Sequence, residues 1–155
     1  MPWDRGFPSP ALVEVLRERT DVIGKALGEF DGKLQRKKAL VPGCGRGVDV
    51  CLLESFGYDC VGLEYSVKAV EACEKYAKEN EGTYTVQDEK IGKGSKVFVQ
   101  GDFYTDDWLE KTGLGVKHFD LIYDYTVGTC ARKPTLLLTL GFCLVLLRYE
   151  SSHAT

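Results

Sequence analysis

A short apolar stretch, Ala39-Leu40-Val41, runs without a break into Pro42-Gly43-Cys44-Gly45-Arg46-Gly47. Glycine takes backbone conformations closed to other residues and, lacking a side chain, lets a ligand come against the main chain. Behind this turn, Val48, Cys51 and Leu52 recur at helical spacing as far as Phe56, where Gly57 stops the pattern. Strand, glycine turn and helix in this order form the opening unit of an α/β sheet with parallel strands. A glycine-rich turn alone is common, so its weight depends on the strands and acids downstream of it.

The same alternation continues along the chain. Cys60-Val61-Gly62-Leu63 reads as a second strand ending at Glu64. Ser66 can cap a further helix whose Val70, Cys73 and Ala77 line an inward stripe until Asn80-Glu81-Gly82 breaks it. Thr83 to Ser95 is polar and glycine-punctuated, a surface loop or ragged hairpin. Lys96-Val97-Phe98-Val99 is a third strand followed by Gly101-Asp102-Phe103, and Phe119-Asp120-Leu121-Ile122-Tyr123 a fourth, followed by Asp124-Tyr125-Thr126. Ahead of the first strand, Ser9 and Pro10 can start a helix carrying Leu12, Val15, Leu16, Ile23, Leu27 and Phe30 on one side, with Lys33 to Lys38 as a solvated connection. Strands alternating with helices predict right-handed crossovers, with the ligand beyond the carboxyl ends of the strands. Gly43, Gly45, Glu64, Asp102 and Tyr125 all fall at that end.

These residue types suit a nucleoside. The run reads G-x-G-x-G, with Val48 in the slot where a dinucleotide fingerprint needs its third glycine, so a pyrophosphate is not the expected ligand. Glu64 lies about 20 residues after the first glycine, the distance at which a strand-end acid meets a ribose diol. Asp102 at the next strand end can accept from an adenine amino group while Phe103 packs on the ring. Asp is common at strand ends, so this second reading leans on the first.

Composition narrows the alternatives. At 155 residues the chain suits one domain with a sizeable core. A net charge of −3, with both signs mixed along the chain, argues against a nucleic-acid binder. The six cysteines form no CxxC pair and follow no signal peptide, which predicts reduced, mostly buried thiols and a cytoplasmic protein. Two histidines leave little material for a His-based metal site or a Ser-His triad, so no metal is expected.

Pro2-Trp3-Asp4-Arg5-Gly6, Leu40 to Gly47, Gly62-Leu63-Glu64-Tyr65-Ser66, Gly101-Asp102-Phe103 and Phe119 to Thr126 come in that order with fitting gaps. Together they resemble the thiopurine S-methyltransferase family, more closely its thiol, thiocyanate and halide methyltransferase branch. The resemblance implies a Rossmann-like class I methyltransferase fold, three layers αβα around a parallel sheet. It implies S-adenosylmethionine as cofactor, contacted by Trp3, Gly43, Gly45, Glu64, Asp102, Phe103 and Tyr125, with a small thiol or similar anion as substrate. Trp3 reads equally well as a core plug or as a ring facing the sulfonium, a cation–π attraction of about 0.5–2 kcal/mol. A thiol is already partly ionised at neutral pH, so the chemistry demands no general base and none is assigned.

Two departures qualify this picture. The family carries further tryptophans before the Pro-Trp-Asp motif, and after Thr126 it continues with a helix and three more strands. Here an apolar run from Thr135 to Leu147 stands instead. The expectation is an incomplete cofactor-binding domain over residues 1–126 and an aberrant tail over 127–155, as from a translated intron, with the C-terminal half of the sheet missing. The tail is too short for a routine membrane span and reads as a helix over the sheet or a replacement strand. An unpaired edge on the first or fourth strand, and poor solubility, are then expected. A monomer that binds no nucleic acid is predicted. The rivals are a non-catalytic cofactor-binding fragment, an NAD-binding oxidoreductase on a similar sheet, and an interaction protein built on the fold.

Overall fold

The computed structural model describes residues 6–115, 118–124, 136–140 and 143–150. Trp3 and Tyr125 lie outside them. The elements run α1 (Pro10–Glu18), α2 (Thr20–Ile23), β1 (Leu27–Phe30), β2 (Lys33–Arg36), β3 (Lys38–Pro42), α3 (Val48–Ser55), β4 (Asp59–Glu64), α4 (Val67–Glu79) and β5 (Ser95–Gln100). A 3-10 turn (Glu110–Thr112), β6 (His118–Asp124), β7 (Leu136–Leu140) and β8 (Cys143–Glu150) complete them.

The main sheet has the order β5-β4-β3-β6-β8-β7. Strands β3 to β6 are parallel, and β3 lies at their centre between β4 and β6. Its last four residues are buried, as a strand covered on both faces requires. From β3 the chain steps outward through α3 to β4 and through α4 to β5, then crosses back to β6 on the other side of β3. The strand order therefore reverses between β3 and β6, the switch point beside which ligands bind in open α/β sheets.

Side chains alternate across the sheet and build two cores. Ala39, Val41, Cys60 and Phe98 face α1, α3 and α4, packing with Leu12, Val15, Leu16, Cys51, Leu53 and Cys73. Leu40, Val61, Leu63 and Val99 face the opposite way, onto Trp108, Phe119 and Ile122. The Trp108 ring stacks on Phe119 with centroids 6.0 Å apart, and its indole N–H donates to the Thr105 carbonyl at 2.8 Å. Among the described residues this second face is covered by the segment between β5 and β6 rather than by a full helix.

Three sequence expectations are corrected. The first helix does not extend to Phe30: it ends at Glu18, and the short α2 ends at Gly24, whose φ of 68° terminates it. Leu27 to Arg36 is instead a hairpin, with Asp31 and Gly32 at φ 50° and 69° in the turn. Positive φ at both central residues is what an Asp-Gly hairpin turn provides, so the dipeptide carried the signal and the helical spacing of Leu27 and Phe30 was coincidental. Lastly, neither β3 nor β6 is left with an unpaired edge. Strand β8 pairs antiparallel with β6 from His118↔Glu150 to Asp124↔Leu144, and β7 pairs antiparallel with β8. The apolar tail thus supplies replacement strands, and among the described residues the sheet ends on β5 and β7.

Candidate functional site

The carboxyl ends of β3, β4 and β5 lie side by side, so Pro42, Glu64 and Gln100 mark one rim of the sheet. Past Pro42 the chain turns through Gly43, Gly45 and Gly47, with φ of 60°, 60° and 81°. At Gly45 a Cβ would meet nothing within 4 Å, so the loop is open on that side. At Gly47 a Cβ would strike the Phe98 ring at 2.5 Å, so here glycine is demanded by both conformation and space.

Glu64 reaches across from β4. Its Oε1 accepts from the Gly45 N–H at 2.7 Å, which joins the acid of one strand end to the glycine loop of the next. The loop is further tied to β4 by the Cys44 N–H donating to the Leu63 carbonyl at 3.3 Å. On the other side, the Gly101 N–H donates to the Glu64 carbonyl at 2.9 Å and the Gln100 side-chain amide to the Tyr65 carbonyl at 3.0 Å. Gly43, Gly45, Glu64 and Asp102 are therefore brought to one rim, as the spacing predicts.

Asp102 and Phe103 are placed differently. Asp102 is exposed, and its Oδ1 accepts from the Tyr104 N–H at 2.9 Å in a turn closed on its own chain. Phe103 is half-buried against the Trp108 core and meets Tyr104 edge-on at 5.7 Å. Two aromatic side chains not singled out from the sequence, Tyr65 and Tyr104, stand exposed at this rim. Each comes directly after a residue predicted for the site, Glu64 or Phe103, which was the available signal.

Beneath the loop lies a pair of thiols. Cys44 Sγ is 3.7 Å from Cys73 Sγ, and the Cys73 thiol donates to the Gly45 carbonyl at 2.9 Å. The hydrogen bond to Cys73, then burial, holds the Cys44 thiol far above the usual thiol range. Cys51 is pushed up to about 11, chiefly by burial. Cys44, Cys51, Cys60 and Cys73 are free thiols, and among the described residues no three His, Cys, Asp or Glu side chains gather into a metal site.

The residues fit S-adenosylmethionine on two observations. The exposed, open side of Gly45 lets a ligand reach the main chain, and the Glu64 carboxylate is fixed within hydrogen-bonding reach of that surface. A carboxylate so placed can accept from the hydroxyls of a sugar.

Known proteins are similar to this chain in sequence. The thiopurine S-methyltransferase family profile matches residues 20–136. The chain is 34% identical over 133 residues to probable thiol methyltransferase 2 of Arabidopsis thaliana, covering 86% of this chain and 45% of that protein. It is 32% identical over 136 residues to thiocyanate methyltransferase 1 of Brassica oleracea, covering 87% and 46% respectively. The chain thus spans somewhat under half the length of these relatives. An RNA methyltransferase from Salinibacter ruber, solved with S-adenosyl-L-homocysteine, overlaps 92% of this chain and 91% of its own at 19% identity and a TM-score of 0.45. The fold class rests on the strand order of the sheet.

Proposed function

Because the chain belongs to the thiopurine S-methyltransferase family, an S-adenosylmethionine-dependent family, we propose that it binds this cofactor at the β3–β5 rim and methylates a small thiol or similar soft anion such as thiocyanate or a halide. The observation that carries the reading is the 2.7 Å bond between Gly45 N–H and Glu64, which fixes a ribose acceptor against an open glycine loop. In this reading Glu64 takes the ribose hydroxyls, Gly43 and Gly45 let the cofactor lie on the main chain, and Asp102 and Phe103 receive the adenine. Trp3 and Tyr125, outside the described residues, are further cofactor contacts by the family resemblance alone. The cofactor-binding unit covers residues 1–126, with 127–155 as a divergent tail.

The bound cofactor supplies a methyl group activated by its sulfonium. The chain's own residues hold and orient. A thiol of pKa near 8.5 is partly ionised at neutral pH, so positioning alone can supply several kcal/mol of the barrier and no base is required. The four free thiols among the described residues are in keeping with a reducing, cytoplasmic setting, and the mixed charge with a small-molecule substrate and no nucleic-acid partner; the protein is proposed to act as a monomer. No helix among the described residues is long and apolar enough to cross a membrane.

Titration calorimetry with S-adenosylhomocysteine, then methyl transfer to a small thiol, thiocyanate and iodide, tests the proposal. Saturable binding with turnover on at least one acceptor supports it. Binding without turnover reduces the chain to a cofactor-binding fragment, and tighter binding of NAD would overturn the assignment.

A further inference from the structure

We propose that Cys44 and Cys73 form a redox modification site, a dithiol that closes to a disulfide and thereby loosens the glycine loop. Its effect on binding rests on the cofactor site proposed above.

The two residues are 29 apart in sequence and meet because α4 packs beneath the loop after β3. Their sulfurs are 3.7 Å apart, and a disulfide needs about 2.05 Å, so closure takes a movement of about 1.7 Å. Cys44 is half-buried and sits in the glycine loop, while Cys73 is fully buried on a helix. The moving partner is therefore the accessible one. The Cys44 thiol also lies over Gly62, where a Cβ would come within 2.9 Å of its sulfur, so the fold keeps a slot open for it. Cys51 and Cys60 are buried in the same core, and the Cys60 thiol is turned to the Tyr58 carbonyl.

In the reduced form the Cys73 proton is given to the Gly45 carbonyl, so the contact between the sulfurs is made by the Cys44 proton. Closure consumes both. With a small-molecule disulfide as oxidant, the Cys44 thiolate attacks one of its sulfurs and releases one thiol. Cys73 then attacks the mixed disulfide at Cys44 and releases the second. Two S–H bonds and one S–S bond are exchanged for one protein S–S bond and two small thiols. The bond to Cys73 and burial hold the Cys44 proton in place, so the attacking thiolate forms only once the loop lifts Cys44 off Cys73, and the first step is slow. Once the disulfide forms, the Gly45 carbonyl has lost its donor, and the same residue's N–H is the group that Glu64 grips.

The test incubates the purified chain with oxidised glutathione at mildly alkaline pH and digests it with trypsin without reduction. Peptides 39–46 and 69–75, which hold Cys44 and Cys73, should appear joined. Calorimetry on the oxidised chain should show S-adenosylhomocysteine binding roughly tenfold weaker, restored by dithiothreitol. C73S should give neither the joined peptides nor the oxidant-dependent loss. A reduced chain that binds, but yields only glutathionylated Cys44, or joined peptides with unchanged affinity, overturns the inference. If the reduced chain does not bind S-adenosylhomocysteine at all, the cofactor reading falls and the claimed effect on binding with it, while the joined peptides still decide whether the crosslink forms.

Discussion

At the Glu64 corner of the rim the acid is held from a neighbouring strand, whereas at the Asp102 corner it folds back on its own chain. Glu64 grips the Gly45 N–H, and the backbone around it is bonded to the loops on both sides. Asp102 accepts from Tyr104, two residues on, in an exposed turn. The cores beneath differ too. The glycine loop lies over the helix-covered face with its buried thiols, and the Asp102 loop over Trp108 and Phe119. A group fixed by tertiary bonds is set in place before a ligand arrives, while one in a local turn must release its own partner or share it. Preorganisation therefore belongs to the Glu64 corner.

The sharpest test of this contrast is Glu64→Ala. Removing the carboxylate takes away a charged acceptor and frees the Gly45 N–H, so S-adenosylhomocysteine affinity should fall by roughly 100-fold, about 2.7 kcal/mol, read by calorimetry. Glu64→Gln keeps an acceptor and should lose less. Affinity within a few-fold of the parent in the alanine variant would dissolve the distinction between the corners.

A second test separates the cores. Cys51 is raised from 9.0 to about 11 by burial, and Cys44 and Cys60 are raised as well. Between those values the unfolded chain gives up the Cys51 proton and the folded chain keeps it, so stability falls as pH rises. Full loss across that window is worth about 2–3 kcal/mol for Cys51 alone. Denaturant unfolding monitored from pH 8 to 11 should show the decline, and Cys51→Ala should make it shallower, after allowing for its own packing loss. An unchanged slope in that variant would show that the alkaline weakness lies elsewhere.

Much of this was legible in the sequence, and the exceptions have physical causes. The parallel strands were readable because burial on both faces makes each a continuous apolar run, as in Ala39 to Val41. The glycine–acid spacing located the rim because strand ends in such a sheet converge whatever lies between. The β1–β2 hairpin was missed because Leu27 and Phe30 happen to sit three residues apart, although Asp31-Gly32 stood in plain view. The apolar tail could not be placed from periodicity, since a uniform run of leucines fits helix and strand alike, and pairing with β6 decides it. The meeting of Cys44 with Cys73 had no local signal at all, because packing of α4 against the loop creates it.

The smallest expected effect belongs to Asp102. Its carboxylate is exposed and already engaged by the Tyr104 N–H, so any bond to an adenine amino group competes with water and with that turn. Asp102→Ala should weaken S-adenosylhomocysteine by only about fivefold, near 1 kcal/mol. Asp102→Asn retains an oxygen that can accept from Tyr104, so it isolates the charge from the turn. If the asparagine variant binds like the parent and the alanine variant does not, the turn is what matters, and Asp102 shapes the loop that presents Phe103. If both fall as far as Glu64→Ala, the second corner is as firmly set as the first, and the ranking of the two acids has to be reversed or abandoned.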